Sequence, residues 1–206
     1  MHWAELSDAI DEFRVLRGRT LEIAAGVSEE QASRRGRTGT WSVAEVLDHL
    51  VQTEVAFRKY LRQAVERARA GTKGTLRIGF REVDTQLRPL PRSWMPMLTP
   101  FLFVLHAVTP FGVRLAVMRK PGIVSAAAPK VAEPIGGRTL AQLREDLAAE
   151  MNETAALFAG DLPEGLPRVR ARHPLYGSNS VAQVVRLMAA HEERHQHQLR
   201  RILKRL

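Results

Sequence analysis

Four segments of this chain carry apolar residues at three- and four-residue steps, the spacing that places side chains on one face of an α-helix. They cover residues 3–25, 42–70, 139–160 and 180–206. Strand signals are scarce throughout the sequence. Because amphipathic helices of this length bury their apolar faces most readily against each other, the sequence predicts an all-α four-helix bundle.

Local residues mark where these helices begin and end. Ser42 precedes the second helix and Glu45 follows three residues later, which is the spacing of a capping box. Gly26 and Gly160 stand where the first and third helices are expected to end. The polar connection between the first and second helices, residues 28–40, has room for a short helical turn.

The stretch between the second and third long helices, residues 71–137, is the least regular part and holds eight of the 11 prolines. We expect it to be a long insertion with one or two short helices, within a single domain that comprises all 206 residues. Inside it, residues 94–113 contain no Asp, Glu, Lys or Arg, over the length of a membrane span. Pro96, Pro100 and Pro110 interrupt this segment. A helical hairpin that is buried or covered by a partner is therefore favoured over a span.

The charge distribution bears on possible partners. The formal net charge is +9, and residues 66–120 hold ten basic against three acidic side chains. A basic surface suits nucleic acid, but few of the 12 aromatic residues are interleaved with it for base stacking, so a nucleic-acid partner is disfavoured. The insertion could form an apolar wall over a substrate site or a homodimer surface, and peripheral contact to an anionic membrane is a lesser alternative.

The amino-terminal residues indicate the cellular compartment. Residues 1–13, MHWAELSDAIDEF, carry acidic side chains where a signal peptide has a basic region followed by an apolar run. We therefore expect a cytoplasmic protein.

The absence of cysteine limits the chemistry. The chain has no disulfide, no thiolate nucleophile of its own and no cysteine zinc site, so a metal ion must be held by histidine and carboxylate.

His191 and His195 are four residues apart, which places both rings on the same side of the last helix. They share a stripe with Leu187 and Leu199, so we expect both to face the interior, where they need hydrogen-bond partners or an ion.

The string from His191 to His195 also fits H-E-x-x-H, the zinc-protease pattern in which the glutamate is the general base. Those proteases take a further ligand from downstream, but the 11 residues after His195 contain no acid and no histidine except His197. The protease interpretation is therefore rejected.

His49 is the best candidate for a third ligand. It lies on the apolar stripe of the second helix with Val46 and Leu50, so it should face the same interior. Three neutral imidazoles would make a facial His₃ site with at least one position open to another molecule. The alternative is a core histidine whose ring is hydrogen-bonded to a backbone carbonyl.

Other polar residues are weaker candidates. Gln198 and Glu54 could contact the ligands or a substrate, although both also fit solvated helix positions. His197 is about 200° around the helix from His195 and should face solvent. His173 precedes a proline in a loop, where a role in turn hydrogen bonding is expected.

Two motifs resemble the DinB / YfiT-like superfamily of bacterial metalloproteins. They are W-S-V-A-E-V-L-D-H-L-V-Q-T-E at residues 41–54, and H-P-L-Y-G-S-N-S followed by a helix with H-E-E-R-H-Q-H-Q at 191–198. The resemblance implies an up-down-down-up four-helix bundle that holds nickel or zinc through His49, His191 and His195. It covers nearly the whole chain except the insertion.

The resemblance also implies an activity, although it assigns no catalytic residue. Relatives include transferases that use low-molecular-weight thiols such as bacillithiol or mycothiol, and proteins induced by DNA damage. We expect a metal-dependent transferase that joins a small thiol to an electrophilic small-molecule substrate. A metal-dependent hydrolase and a non-enzymatic stress or DNA-damage protein are the alternatives.

Overall fold

The computed structural model describes residues 3–35, 40–72, 74–77, 94–120, 128–173 and 176–206. Most of these residues are helical, as predicted. The described α-helices are α1 (Trp3–Ala25), α2 (Glu29–Ser33), α3 (Val43–Arg69), α4 (Met95–Val108), α5 (Phe111–Arg119), α6 (Leu140–Ala156) and α7 (Val181–Leu203). The four predicted long helices correspond to α1, α3, α6 and α7.

Three short strands form a small sheet that the sequence did not predict. They are β1 (Thr75–Arg77), β2 (Arg170–His173) and β3 (Gly177–Ser180). β1 pairs with β2 in parallel, and β2 pairs with β3 antiparallel. Each strand has only three or four residues, and β3 reads GSNS, without the β-branched and aromatic residues that mark strands in a sequence.

The helix ends follow the local chemistry. The Ser42 side chain accepts from the backbone N–H of Glu45, and the Glu45 carboxylate accepts from the N–H of Ser42, which confirms the predicted capping box. Gly71 follows α3 with a φ of 63°, a left-handed conformation that glycine adopts without strain. α6 ends earlier than predicted, at Ala156, and a turn leads to Gly160.

The long helices share an interior, since α1 and α3 each pack against both α6 and α7. Buried apolar side chains form two main clusters. The first contains Phe13, Leu61, Met151 and Val185, and the second contains Ala24, Leu47, Leu143 and Leu199.

The insertion contributes α4 and α5, in agreement with the predicted short helices. α5 packs against α7, and α4 packs against β3. Among the described helices, none is by itself long and apolar enough to cross a membrane. Pro100–Val108 and Phe111–Arg119 reach that length and composition only together, and they are bent by 110°. The predictions for the rest of the insertion, residues 78–93 and 121–127, lie outside the described residues.

Candidate metal centre

Three histidine side chains converge between α3 and α7. His49 lies on α3, and His191 and His195 lie one turn apart on α7. The Nε2 atom of His191 is 3.1 Å from Nε2 of His195 and 3.4 Å from Nε2 of His49. Within the described part of the chain, this is the one group of histidine and acidic side chains found with ligand atoms close enough to share a metal ion.

The spacing of the nitrogens fits a bound cation. Zinc–imidazole bonds are about 2.0–2.1 Å long, so two imidazole nitrogens on a tetrahedral ion lie about 3.3 Å apart. The two separations at His191, 3.1 and 3.4 Å, lie on either side of that value, and the ligand atoms of all three histidines lie within 4.8 Å of one another. Three protein ligands on such an ion leave a position for a further molecule.

Two of the rings are oriented by hydrogen bonds on their outer nitrogens. His49 Nδ1 donates to the carbonyl oxygen of Ala132 at 2.6 Å, and His195 Nδ1 donates to Gln198 Oε1 at 2.9 Å. Because both acceptors are carbonyl oxygens, the proton of each neutral ring is on Nδ1 and the lone pair is on Nε2. The hydrogen bond from His49 to a backbone carbonyl, which was the alternative role for this residue, is therefore present. It leaves the lone pair of His49 on Nε2, where it can bind a metal ion.

The ring of His191 cannot satisfy the Nε2 lone pairs of both His49 and His195. His191 carries at most one proton on Nε2, which would have to be shared between the lone pairs of His49 and His195. His49 and His195 are only 4% and 8% exposed, so an unsatisfied lone pair here is costly. A cation between the three nitrogens satisfies all of them, and the donor set therefore fits a divalent metal.

Burial keeps the three rings neutral. It lowers the pKa of His49 to about 4, against the weaker opposing effect of the Ala132 carbonyl. The pKa values of His191 and His195 also lie well below the usual range, first because of burial and then because of the neighbouring histidines. Neutral imidazole is the form that binds metal, so protons do not compete for the site near pH 7.

The family model of the DinB superfamily matches residues 12–199, which is about nine-tenths of the chain. The chain belongs to the DinB superfamily. This confirms the resemblance carried by the tryptophan and histidine motifs. Neither the curated proteins nor the solved structures gave a significant match.

In this DinB-superfamily protein, Asp48 ties the segment that carries Ala132 to α3. Its Oδ2 accepts from the backbone N–H groups of Ile135 and Gly136 at 3.0 and 2.8 Å. Its Oδ1 accepts from the guanidinium of Arg138. Asp48 therefore fixes the end of the insertion next to α3. In that position, Ala132 of the same segment supplies the carbonyl that accepts from the His49 ring.

A buried ionic cluster ties together the helices that carry the histidines. Arg17 on α1 donates from Nε and Nη2 to Glu192 on α7 at 2.9 and 3.0 Å, and from Nη2 to Glu54 on α3 at 2.7 Å. Its Nη1 donates to the carbonyl of Leu147 on α6, and Thr154 donates to Glu54 at 2.7 Å. One guanidinium therefore connects α1 to the other three long helices. We call Arg17, Glu54, Glu192 and Thr154 the Arg17 cluster.

The DinB motifs and helix periodicity did not reveal the Arg17 cluster. Arg17, Glu54 and Glu192 are each no more than 2% exposed, and burial raises the pKa of Glu54 against the lowering effect of Arg17. Each lies at core-facing spacing from apolar neighbours, as Glu192 does between Met188 and Leu199. A charged residue within the apolar stripe of a helix was the sequence signal that could have indicated these buried charges.

The other described histidines lie elsewhere. His197 is exposed, as predicted. His173 ends β2 rather than lying in a loop, and its ring stacks on Tyr176 with centroids 4.5 Å apart. Burial lowers the pKa of His173 to about 3, helped by His106. No metal-ligand group was found around His173 or His106 within the described residues.

Proposed function

We propose that this protein is a metal-dependent S-transferase that joins a low-molecular-weight thiol to a small electrophilic substrate. The observation that carries the proposal is the approach of one nitrogen from each of three histidines to within 4.8 Å of one another, with separations of 3.1 and 3.4 Å at His191. Such a site holds a divalent ion and leaves a position for a second reactant. Zinc and nickel are the expected metals, since both accept imidazole and thiolate ligands.

The lack of cysteine determines where the sulfur comes from. A bound divalent ion lowers the pKa of a thiol beside it and so supplies a thiolate near neutral pH. The chain has no cysteine to provide that thiol, so a free small thiol is the expected co-substrate. Its sulfur forms the new bond to carbon, the leaving group departs with its electron pair, and the thiol proton passes to solvent.

The residues of the chain hold and orient the reactants. Ala132 and Gln198 keep the rings of His49 and His195 in the ligand tautomer. His49 and His195 are buried, whereas His191 is partly exposed. We therefore expect the thiol and its substrate to approach on the His191 side.

We further propose that residues 1–206 form one domain, with residues 71–137 as an insertion in an up-down-down-up bundle. The first apolar cluster joins the early parts of α1 and α7 to the late parts of α3 and α6, and the second cluster joins the opposite ends. This arrangement supports helix directions in which α1 and α7 run one way and α3 and α6 the other. We also expect a cytoplasmic location.

A thiol-consumption assay tests the proposed activity. Protein loaded with zinc or nickel is incubated with bacillithiol or mycothiol and a model electrophile such as an aryl halide, and free thiol and conjugate are measured. We expect conjugate to form with wild-type protein and to fall to background in His49→Gln and His195→Gln. The matched control is His197→Gln, on the same helix but exposed, which should retain wild-type turnover.

Two results would contradict this assignment. Equal turnover in the wild type and in His195→Gln would place the chemistry outside the three-histidine site. Cleavage of ester substrates by the loaded protein, without any use of thiol, would instead favour a hydrolase at the same centre.

A further inference from the structure

The outer face of α4 is apolar and exposed. Residues 94–108 contain no Asp, Glu, Lys or Arg. The exposed large side chains are Trp94 (54%), Met97 (79%), Phe101 (66%), Val104 (59%), Leu105 (44%) and Val108 (72%). The inner side is covered, because α4 packs on β3 and the Arg172 guanidinium lies 3.6 Å from the centroid of the Phe103 ring. A helix that is apolar on all sides is ordinarily buried on all sides.

The size of this α4 face suits a dimer. At these exposed fractions, the six side chains present roughly 700 Å² of surface, above the roughly 300–600 Å² of the largest apolar patch on a typical monomer. Two such faces pressed together remove roughly 1,400 Å² from water, which lies in the standard range for a stable protein–protein interface.

The spacing of the exposed residues suits a second helix of the same kind. Trp94, Met97, Phe101, Val104 and Val108 are separated by alternating steps of three and four residues. That alternation is the a/d seam of paired helices. The helix itself has 14 residues and is about 21 Å long, which is enough for two heptads of contact.

Nearby basic side chains argue for protein rather than an anionic membrane as the occupant. Helices that lie on membranes carry lysine and arginine on their polar side, whereas α4 carries neither. Arg114 of α5 donates to the Tyr176 carbonyl at 2.6 Å and to Asn179 Oδ1 at 3.1 Å. Arg119 pairs with Glu12 and Glu193. These arginines are engaged within the chain.

We propose that the α4 face packs against the α4 face of a second copy of this chain, forming a two-fold symmetric dimer. The midpoint of the stripe from Trp94 to Val108 is Phe101, so the symmetry axis passes beside Phe101 and the whole stripe of each copy is covered. α5 follows directly and packs beside the metal centre, where Leu115 contacts Leu187 and Ala190. The dimer therefore braces the insertion without using a metal ligand.

Sedimentation equilibrium of the untagged full-length chain tests the dimer. We expect wild-type protein at micromolar concentration to have twice the chain mass of 23.1 kDa. Phe101→Glu and Phe101→Lys should each sediment as monomers with unchanged helix content, and an equimolar mixture of the two should return to the dimer mass. The matched control is Val15→Glu, an exposed valine on α1 that is 55% exposed and should leave the dimer intact.

Several results would overturn the proposal. A wild-type monomer would do so: if it co-sediments with phosphatidylglycerol vesicles the occupant is a membrane surface, and if it does not, the face is covered by residues of the same chain. A dimer that persists in both Phe101 variants would place the interface elsewhere. Failure of the mixed variants to associate would exclude the proposed axis beside Phe101.

Discussion

Replacing Arg17 with methionine should destabilise the whole protein, because this guanidinium connects α1 to the other three long helices. It is 2% exposed and is paired with Glu54 at 2.7 Å and Glu192 at 2.9 Å. Methionine fills similar volume but leaves two carboxylates buried without a cation. Breaking a buried ion pair in this way costs about 3–5 kcal/mol. For a domain of this size, that loss corresponds to a fall in Tm of about 6–20 °C.

Urea denaturation followed by circular dichroism, with a chelator present, measures this loss directly. Arg14→Met is the matched control: it removes an arginine from the same helix whose side chain is 56% exposed and paired with Asp11. We expect a change below about 1 kcal/mol in that control. A triple variant that combines Arg17→Met with Glu54→Gln and Glu192→Gln removes the uncompensated charge, and it should recover about half of the lost stability or more.

The pH dependence of the Arg17→Met effect provides a second check. Burial raises the pKa of Glu54 even with Arg17 present, and removing the cation raises that pKa further. A carboxyl group whose folded-state pKa exceeds its unfolded value favours the folded state once it is protonated. The stability gap between wild type and variant should therefore be larger at about pH 8 than at about pH 5. A loss below about 1 kcal/mol at both pH values would refute the argument that Arg17 holds the helices together.

Three further predictions concern the metal centre and its supports. Gln198→Leu removes the acceptor for His195 Nδ1, so metal affinity should fall about 10- to 100-fold in a competition titration with a chelator; unchanged affinity would show that Gln198 does not orient the ring. In metal-free protein, the pKa of His49 is near 6.5 when unfolded and about 4 when folded, so the free energy of unfolding should fall by about 1.4 kcal/mol for each unit by which the pH is lowered from 6.5 to 4. Urea denaturation over that range should show a slope smaller by this amount in His49→Gln, and equal slopes would contradict the assignment. Asp48→Asn weakens the hydrogen bonds from the backbone of Ile135 and Gly136, so the free energy of unfolding should fall by about 1–3 kcal/mol and metal affinity should fall as well. If neither quantity changes, these hydrogen bonds do not support the metal site.

The sequence predicted the elements whose signals are local. α1, α3 and α7 lie where apolar periodicity placed them, and Ser42 begins α3 with the predicted capping box. The three histidines were found because helix spacing places His191 and His195 on one face of α7 and puts His49 on the apolar stripe of α3. In each case the pattern depends on residues of one helix, and those residues are all close together in the sequence.

The missed features depend on contacts between distant segments. The carbonyl of Ala132 supports the His49 ring, yet a backbone carbonyl leaves no trace in the residue type. β1 and β2 are too short to show alternation and form only by pairing with each other. Arg17 is paired in the interior with acids from two other helices, and no single helix shows that all three charges are buried together.

Metal analysis of protein purified without a histidine tag tests whether His49, His191 and His195 hold a metal ion. We expect about one equivalent of zinc or nickel per chain in the wild type. The metal should be lost in His49→Gln and in His191→Gln, and it should be retained in His197→Gln, whose ring is exposed on the same helix as His191. Wild-type protein that binds neither metal when both are supplied, or stoichiometric metal that survives in the His49 and His191 variants, would contradict a three-histidine metal site.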